Sequence, residues 1–427
     1  MKAAKWFVIL FALLLVVPMA WADSGEGDDG TQLGVKADMR WRGELDGRDF
    51  DKDINPSAFS VLRARFGAYV KSGDVKGFIQ LQYPHQLGWD ASTLNPDVAA
   101  DVHQAYLKVH GFFTDPLTLK VGRMEMSYGD ERLIGAVGWS NVGRVFDGVL
   151  LRYDTEKYSV DGFYTKQVER YSSAAYTDDQ DDNFFGVWAK YKPLKLNLFA
   201  LQNTAAAMNS NGDYATNSTL TTVGLHYMNM YESGFGAILD GAYQMGTTTT
   251  FGPPSVDTDV AAWMLVVGAW YKFDMAMEPG VGVGVDWVSG DDPDTPDKWE
   301  AFNNLYYTSH RWRGSMDLFT ASNPEGLRDV ELSVMLKPTE KRKVWLSFHN
   351  FSTSQEYASL VDGSKTTAVG NEIDLESYCQ MKEDLGFQMG IGYFMPAEDY
   401  MGTDPENGLW GYVQLQAKMH AFGSLTK

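Results

Sequence analysis

The sequence lacks the features that define several common classes of protein. Its 427 residues include one cysteine, Cys379, so no disulfide can form within the chain. The seven histidines show neither an HExxH motif nor paired spacing, which argues against a catalytic zinc site. There is also no GxSxG motif of a serine hydrolase. We therefore predict that the protein is not an enzyme and that it has no metal or other cofactor.

Positive charge is scarce as well. Lysine and arginine together number 36 and aspartate and glutamate 56, which gives a formal net charge of -20 at pH 7. Because proteins that bind nucleic acid need a basic surface for the phosphates, this balance argues against a nucleic-acid partner.

Long apolar runs are absent after the first residues. The chain begins MKAAKWFVILFALLLVVPMAWA, in which two lysines precede an apolar run that closes on small residues. This pattern predicts a secretory signal peptide over residues 1–22, with a retained membrane anchor as the alternative. Residues 23–427 contain no stretch near the roughly 20 apolar residues that a membrane helix needs. We expect one domain there, either soluble or a β-barrel.

Alternation of apolar and polar residues is abundant instead, as in VKADMRW (35–41). We predict eighteen strands: 33–45, 57–71, 74–84, 101–114, 116–125, 144–154, 157–170, 183–192, 194–203, 217–231, 234–246, 257–274, 277–290, 327–338, 341–353, 370–382, 385–397 and 408–422. Soluble sandwiches also alternate, but their strands are shorter and their connections do not alternate strictly between short and long. The pattern predicts an all-β, transmembrane antiparallel barrel of about 18 strands, with short periplasmic turns and long extracellular loops.

One face of the predicted wall is basic and the opposite face is acidic. The candidate pore-lining and substrate-binding residues of the first strands are Lys36, Arg40, Arg42, Arg63, Arg65, Lys76, Lys108 and Lys120. The acidic residues of the far wall are Asp286, Asp329, Glu331, Glu372, Asp374 and Glu376. These cations could attract an anion, or they could only brace the barrel by pairing with acids. We expect arginine–carboxylate contacts across the lumen.

Two long connections carry most of the remaining charge. Segment 126–143 lies between two apolar strands, and we predict that it folds into the pore as a constriction that loop 291–326 narrows or covers. Strict alternation would put Arg123 on the lipid face, so either a β-bulge shifts the register there or Arg123 lies above the lipid. The run DDPDTPD (291–297) has the oxygen ligands of a calcium loop, with an ordinary solvated loop as the alternative.

Three stretches carry a resemblance to a known family: VGRMEMSYGDERLIGAVGWSNVGRVFDGVLL, VDWVSGDDPDTPDKWEAFNNLYYTSHRWRGSMDLF and GNEIDLESYCQMKEDLGFQMGIGYFMP. At these residues the chain resembles the bacterial alginate export family of outer-membrane porins. The resemblance implies an eighteen-stranded barrel that exports an anionic polysaccharide through an arginine-lined constriction. The matching motif positions are Arg123, Glu125, Tyr128, Asp130, Arg132, Arg144, Asp147, Ser289, Gly290, Asp291, His310, Gly314 and Asp317.

The sequence thus predicts a monomeric outer-membrane channel of a Gram-negative-type bacterium for passive passage of an anionic or polar, alginate-like polysaccharide. Expected partners are outer-membrane lipid and lipopolysaccharide, the saccharide cargo and periplasmic export proteins. Two alternatives stay open at this point. One is a general porin for small polar nutrients, and the other is a non-conducting structural or adhesion barrel.

Overall fold

A single closed sheet forms the molecule. The computed structural model describes residues 31–51, 53–88, 100–169, 181–208, 214–250 and 256–424. The predicted signal peptide, residues 1–22, lies outside the described residues, as do parts of the predicted loops 85–100, 171–182, 204–216 and 247–256. None of the helices in the described segments is long and apolar enough to cross a membrane.

The strands follow one another around the ring in chain order. They are β1 (Gln32–Gly47), β2 (Ser57–Ser72), β3 (Val75–Gln86), β4 (Asp101–His110), β5 (Leu117–Met124), β6 (Phe146–Asp154), β7 (Tyr158–Val168), β8 (Asp182–Tyr191), β9 (Leu196–Met208), β10 (Tyr214–Met230), β11 (Phe235–Thr250), β12 (Val256–Lys272), β13 (Gly280–Val288), β14 (Lys298–Trp299), β15 (Leu327–Thr339), β16 (Arg342–Ala358), β17 (Lys365–Lys382), β18 (Leu385–Pro396) and β19 (Gly408–Ser424). Helical structure in the described segments is limited to the 3-10 turns Lys192–Leu194 and Ser309–Arg311 and the helix α1 (Glu398–Met401).

The two-residue strand β14 stands apart from the ring, because it pairs in parallel with β12 while β13 pairs directly with β15. The other eighteen strands form antiparallel pairs, and β1 pairs with both β2 and β19, which closes the barrel. This confirms the predicted fold class and strand number. Closure satisfies the backbone hydrogen bonds of every strand, and a strand in lipid has no other partner for them.

The connections differ between the two rims. Gln32 pairs with Ser424, so the start of β1 and the end of β19 lie at the same rim of the barrel. Turns of two residues join neighbouring strands at that rim, at positions 73–74, 340–341 and 383–384. The opposite rim carries the long connections 125–145 and 289–326. In outer-membrane barrels the short turns face the periplasm.

The two faces of the wall have the polarity of a membrane channel. Leu239 and Val267 are cross-strand neighbours on the outer face, with 42% and 48% of their surface exposed. The next pair along these strands, Asp240 and Val266, points inward and is almost fully buried. A belt of exposed apolar side chains around a partly polar interior is stable only where hydrocarbon surrounds the belt.

The register of β5 and β6 settles the position of Arg123. Pairing runs from Leu117 opposite Tyr153 to Met124 opposite Phe146 without a shift, so no bulge turns Arg123 inward. Arg123 lies on the outer face near the long-loop rim, where its Nη2 donates to the Asp147 Oδ2 at 2.7 Å. Of the two alternatives, the second is therefore correct, and this pair of motif residues does not line the lumen.

A charged substitution on the outer face tests whether lipid covers that face. Replacing Val267 by arginine should lower the free energy of unfolding by about 2–4 kcal/mol, because the apolar outer belt would then hold a charge in hydrocarbon. Val267→Leu is the matched control and should change the stability little. Denaturant titration of the barrel refolded in lipid vesicles measures both. Equal stability of the two variants would mean that water, not lipid, covers this face.

Candidate functional site in the lumen

Two connections fold into the barrel and bind each other there. We call residues 125–145 the first inner loop and residues 289–326 the second inner loop. The Gly135 amide donates to the Tyr306 carbonyl at 2.9 Å, and the Tyr306 amide donates to the Leu133 carbonyl at 2.9 Å. The Thr308 amide donates to the Glu131 carbonyl at 3.0 Å. The inner loops therefore form one body that contacts inward-facing residues around the ring.

The basic wall holds the first inner loop by its backbone. We call Arg40, Arg42, Arg63 and Arg65, on β1 and β2, the arginine cradle; each is less than a tenth exposed. Arg40 donates to the carbonyls of Gly138 and Ser140, both at 2.9 Å, and Arg63 donates to the Gly138 carbonyl at 2.8 Å. Arg42 donates to the carbonyl of residue 139 at 2.9 Å. These guanidinium groups therefore bind neutral acceptors of a loop.

Carboxylates balance the arginine cradle only in part. Arg42 pairs with Glu44 at 2.7 Å and Arg63 lies 3.5 Å from Asp38. Arg40 has no carboxylate within 4.0 Å among the residues that the structure describes. It also keeps a buried Nε–H without an acceptor.

Two more donors of the cradle are unbonded. The Nε of Arg63 and the Nη2 of Arg65 are buried and have no acceptor, although Arg65 Nη1 donates to Glu125 at 3.1 Å. Gly143 lies directly against Arg65, and a Cβ there would come within 2.3 Å of the Arg65 Nη2. Only glycine lets the loop approach the guanidinium this closely. Buried donors without partners are rare and mark a place where an anion could bind.

The acidic wall holds the second inner loop in the opposite sense. The Ser315 amide donates to Asp374 at 3.2 Å and the Met316 amide donates to Glu372 at 2.9 Å. The Ser315 hydroxyl donates to Glu376 at 2.9 Å. The two walls thus bind the loops by complementary backbone groups: arginines take carbonyls, and carboxylates take amides.

A buried ion network joins both loops to the wall at the centre. Arg132 of the first inner loop pairs with Asp130 at 2.9 Å, with Asp286 of β13, and with Asp240 of β11 at 3.7 Å. Arg313 of the second inner loop shares Asp286 at 3.1 Å. Burial alone would lower the pKa of Arg132, but the surrounding carboxylates raise it above its ordinary value. The expected arginine–carboxylate contacts to the far wall are therefore made by loop arginines, whereas the cradle arginines pair with carboxylates near their own wall, such as Glu44.

The family-motif residues within the lumen mostly brace the loops. The Tyr128 hydroxyl donates to Asp161 at 2.6 Å and its ring stacks on Trp188. The Arg144 guanidinium donates to the carbonyl of Tyr307 at 3.2 Å. Four further motif contacts are Glu125 with His103 at 2.8 Å, the Ser289 hydroxyl with the Glu300 carbonyl at 2.7 Å, Asp291 with the amide of Glu300 at 2.9 Å, and His310 with Asp317 at 3.0 Å.

Sequence reasoning missed several contributors. Arg313 and Trp139 belong to motif stretches, so their position in the motifs was a usable signal. Trp139 stacks on His310 at 3.7 Å and lies under the Arg42 guanidinium at 3.9 Å. Asp240 had no signal beyond an inward position on its strand, and its partner Arg132 is distant in sequence.

A possible metal group lies beside this network. Ligand atoms of Asp130, His226 and Asp240 lie within 4.8 Å of one another, the only such group among the described residues. Arg132 pairs with Asp130 at 2.9 Å and lies 3.7 Å from Asp240, so an arginine cation already balances the two carboxylates. The acidic run 291–297 forms no group of this kind in the described part of the chain.

Below the inner loops the lumen is open. A cavity of about 690 Å³ extends from Arg132 and Trp312 towards Gly280 and Lys195 near the short-turn rim. The other cations predicted to line the pore, Lys36, Lys76, Lys108 and Lys120, point inward at this same end of their strands. The inner loops therefore separate a short-turn vestibule from the long-loop rim.

The chain is similar in sequence to one known family and in fold to solved outer-membrane barrels. The family model described as alginate export matches residues 31–408. No curated protein matches the chain significantly by sequence. Among solved structures, Acinetobacter baumannii OccAB4 aligns with a TM-score of 0.62 at 11% identity, over 93% of this chain and all of that one. Pseudomonas aeruginosa OccK11 (OpdR) aligns with a TM-score of 0.58 at 12% identity, over 92% and 98% of the two chains.

The closed barrel and its polar lumen define the class: this is an outer-membrane β-barrel channel protein. The chain belongs to the alginate export family, as its motifs predicted. Identity to the solved barrels is low, so those structures support the fold and carry no residue roles.

The central ion network generates a prediction about the inner loops. Arg132→Met would leave Asp130, Asp240 and Asp286 short of a buried cation, which should cost about 3–5 kcal/mol. We expect thermal unfolding at a lower temperature and larger fluctuations of single-channel current, because the inner loops lose their central anchor. Arg311→Met removes an exposed arginine of the second inner loop and is the control. The same melting temperature and current noise in both variants would contradict the anchoring role.

Proposed function

We propose that the protein is a diffusion channel for an anionic saccharide, and that the arginine cradle is its anion-selective part. The observation that carries this proposal is the set of three buried guanidinium N–H groups of Arg40, Arg63 and Arg65 that have no acceptor. Carboxylates bind guanidinium groups through short, charge-assisted pairs, which are stronger than bonds to neutral carbonyls. A uronate carboxylate could therefore displace the carbonyls of residues 138–140 from the cradle.

The family supports the same cargo. Alginate is a polymer of sugar acids, so a member of the alginate export family needs sites that accept carboxylates and hydroxyl groups. On the opposite wall, which binds the second inner loop, the Oε2 of Glu372 and the Oδ1 of Asp374 have no donor and could accept hydroxyl groups. The cradle and this wall would turn a sugar acid so that its carboxylate faces β1 and β2. Export from the periplasm, periplasmic partners and a monomeric state go with this proposal as predictions.

A second candidate is a channel for small carboxylates. Two observations favour it: the inner loops meet inside the lumen, and the chain shares its fold with Pseudomonas aeruginosa OpdK, crystallised with vanillate. OpdK aligns with a TM-score of 0.57 at 12% identity, over 91% of this chain and 99% of that one. Blockage of the current by oligouronates of increasing length separates the candidates. A saccharide channel should respond more strongly to longer oligomers, whereas a small-solute channel should respond to the monomer alone.

Charge selectivity in planar bilayers tests the cradle. The variant Arg40→Gln/Arg63→Gln/Arg65→Gln should lose most of the preference for chloride over potassium, because the buried cations that attract anions are gone. Reversal potentials under a salt gradient measure the preference.

The control variant removes three positive charges outside the arginine cradle. Arg311, Arg328 and Arg342 are exposed and lie outside the cradle, and replacing all three by glutamine should leave the selectivity near that of the natural protein. In a further variant lysine replaces the same three arginines, so the positive charge is kept. This variant separates an effect of the lost charge from an effect on folding. Unchanged selectivity in the folded glutamine variant would refute the cradle as the filter.

A further inference from the structure

Four lysines form a row across the inner wall at the short-turn end of the lumen. Lys71 pairs with Lys76 across β2 and β3, Lys76 with Lys108 across β3 and β4, and Lys108 with Lys120 across β4 and β5. We call these four residues the lysine row. Each occupies an inward position of its strand, as Arg65 and Gln80 do on β2 and β3.

The lysine row lacks counter-charges. No lysine of the row has a carboxylate within 4.0 Å, nor a hydrogen-bond acceptor for its ammonium group, among the residues that the structure describes. Like charges directly opposite each other in a sheet are destabilising. A row of four in adjacent pairs therefore costs stability in the empty channel, and an anion bound across it would remove this cost.

Aromatic and amide groups surround the lysine row. The Lys76 Nζ lies 4.1 Å from the ring centre of Tyr69, and the Lys120 Nζ lies 4.0 Å from that of Tyr106. These rings hold the two ammonium groups at the wall. One step further into the lumen the Gln104 amide donates to Gln80 at 3.0 Å. Ammonium, phenol and amide groups together suit a ligand that carries both carboxylates and hydroxyl groups.

The position of the lysine row determines from which side a ligand can reach it. On the same strands the outward residues are apolar and exposed, among them Val75, Leu107 and Val121, so the row faces the lumen and lipid headgroups cannot reach it from the bilayer. Lys71 follows Arg65 by six residues on β2, which puts the row roughly 20 Å from the arginine cradle. It is therefore a separate site, met first by a solute from the short-turn side.

The spacing of the lysine row indicates a repeated charge. Neighbouring strands lie about 5 Å apart, so the lysines repeat at short, regular intervals along the wall. A single small anion would use one or two of them, whereas a chain with a carboxylate on every sugar could use all four. Several weak contacts made by one ligand add up to a useful affinity.

We propose that the lysine row is a docking site for a linear acidic oligosaccharide that arrives at the short-turn mouth of the channel. The proposal rests on the proposed function, since it assigns that function's cargo a first binding site. The row holds the carboxylates of successive sugars, and the cradle deeper in the lumen takes them next.

Equilibrium binding tests the lysine row directly. The probe is the hexamer of galacturonic acid, added to the full-length protein in detergent micelles and measured by calorimetry, with uncharged maltohexaose as the comparison ligand. Lys76→Gln/Lys108→Gln/Lys120→Gln should weaken binding of the acidic hexamer about tenfold or more, because three charge-assisted contacts are lost. The variant should fold at least as stably as the natural protein, because repulsion within the row is relieved.

The control variant removes the same number of positive charges at the same rim of the barrel. Lys157, Lys341 and Lys382 are exposed at or beside short turns and lie outside the lysine row, and replacing all three by glutamine should leave the affinity unchanged. Added salt should weaken binding to the natural protein more than binding to the row variant, which keeps only the cradle.

The outcomes separate the two proposals. Equal affinity of the row variant and the control variant for the acidic hexamer would overturn the lysine row, even in an anion-selective pore. Equal affinity of the natural protein for maltohexaose and the acidic hexamer would overturn it as well. A cation-selective pore whose row still binds the acidic hexamer would instead overturn the proposed function and support the row as a binding site.

Discussion

Closure of the sheet is the constraint on which the rest of the structure depends. Pairing of β1 with β19 leaves no strand edge, so every strand can cross a medium that offers its backbone no hydrogen bonds. Closure also divides the side chains, since alternate residues must face hydrocarbon or the lumen. Charged residues are therefore concentrated inside, where they have to be balanced by each other or by the inner loops.

The inner loops solve much of this problem with backbone groups. The carbonyls of residues 138–140 satisfy arginines on one wall, and the amides of Ser315 and Met316 satisfy carboxylates on the other. At the centre Arg132 and Arg313 meet Asp286 as true ion pairs. Groups on both walls stay unsatisfied: donors in the arginine cradle and, opposite them, the Oε2 of Glu372 and the Oδ1 of Asp374. The lysines at the short-turn end have no carboxylate partner among the described residues. An anionic solute that also carries hydroxyl groups would suit both walls.

The sequence predicts the barrel far better than the interior. Alternation predicts β1 as 33–45, against Gln32–Gly47 in the structure. It succeeds because the apolar or polar character of each residue indicates which side of the wall it faces. The partners of Arg40 are not predictable in this way, since they are backbone carbonyls of a loop about a hundred positions away and carry no side-chain signal. The pairing of Arg132 with Asp240 and Asp286 likewise arises only from closure of the ring.

The central claim is that this channel passes acidic saccharides, and release from vesicles tests it most directly. Proteoliposomes loaded with a labelled galacturonate oligomer and an uncharged oligomer of equal length would be followed by filtration. The account predicts that the acidic oligomer escapes faster than the uncharged one, and faster than from protein-free vesicles. Retention of the acidic oligomer, while small ions pass, would contradict it.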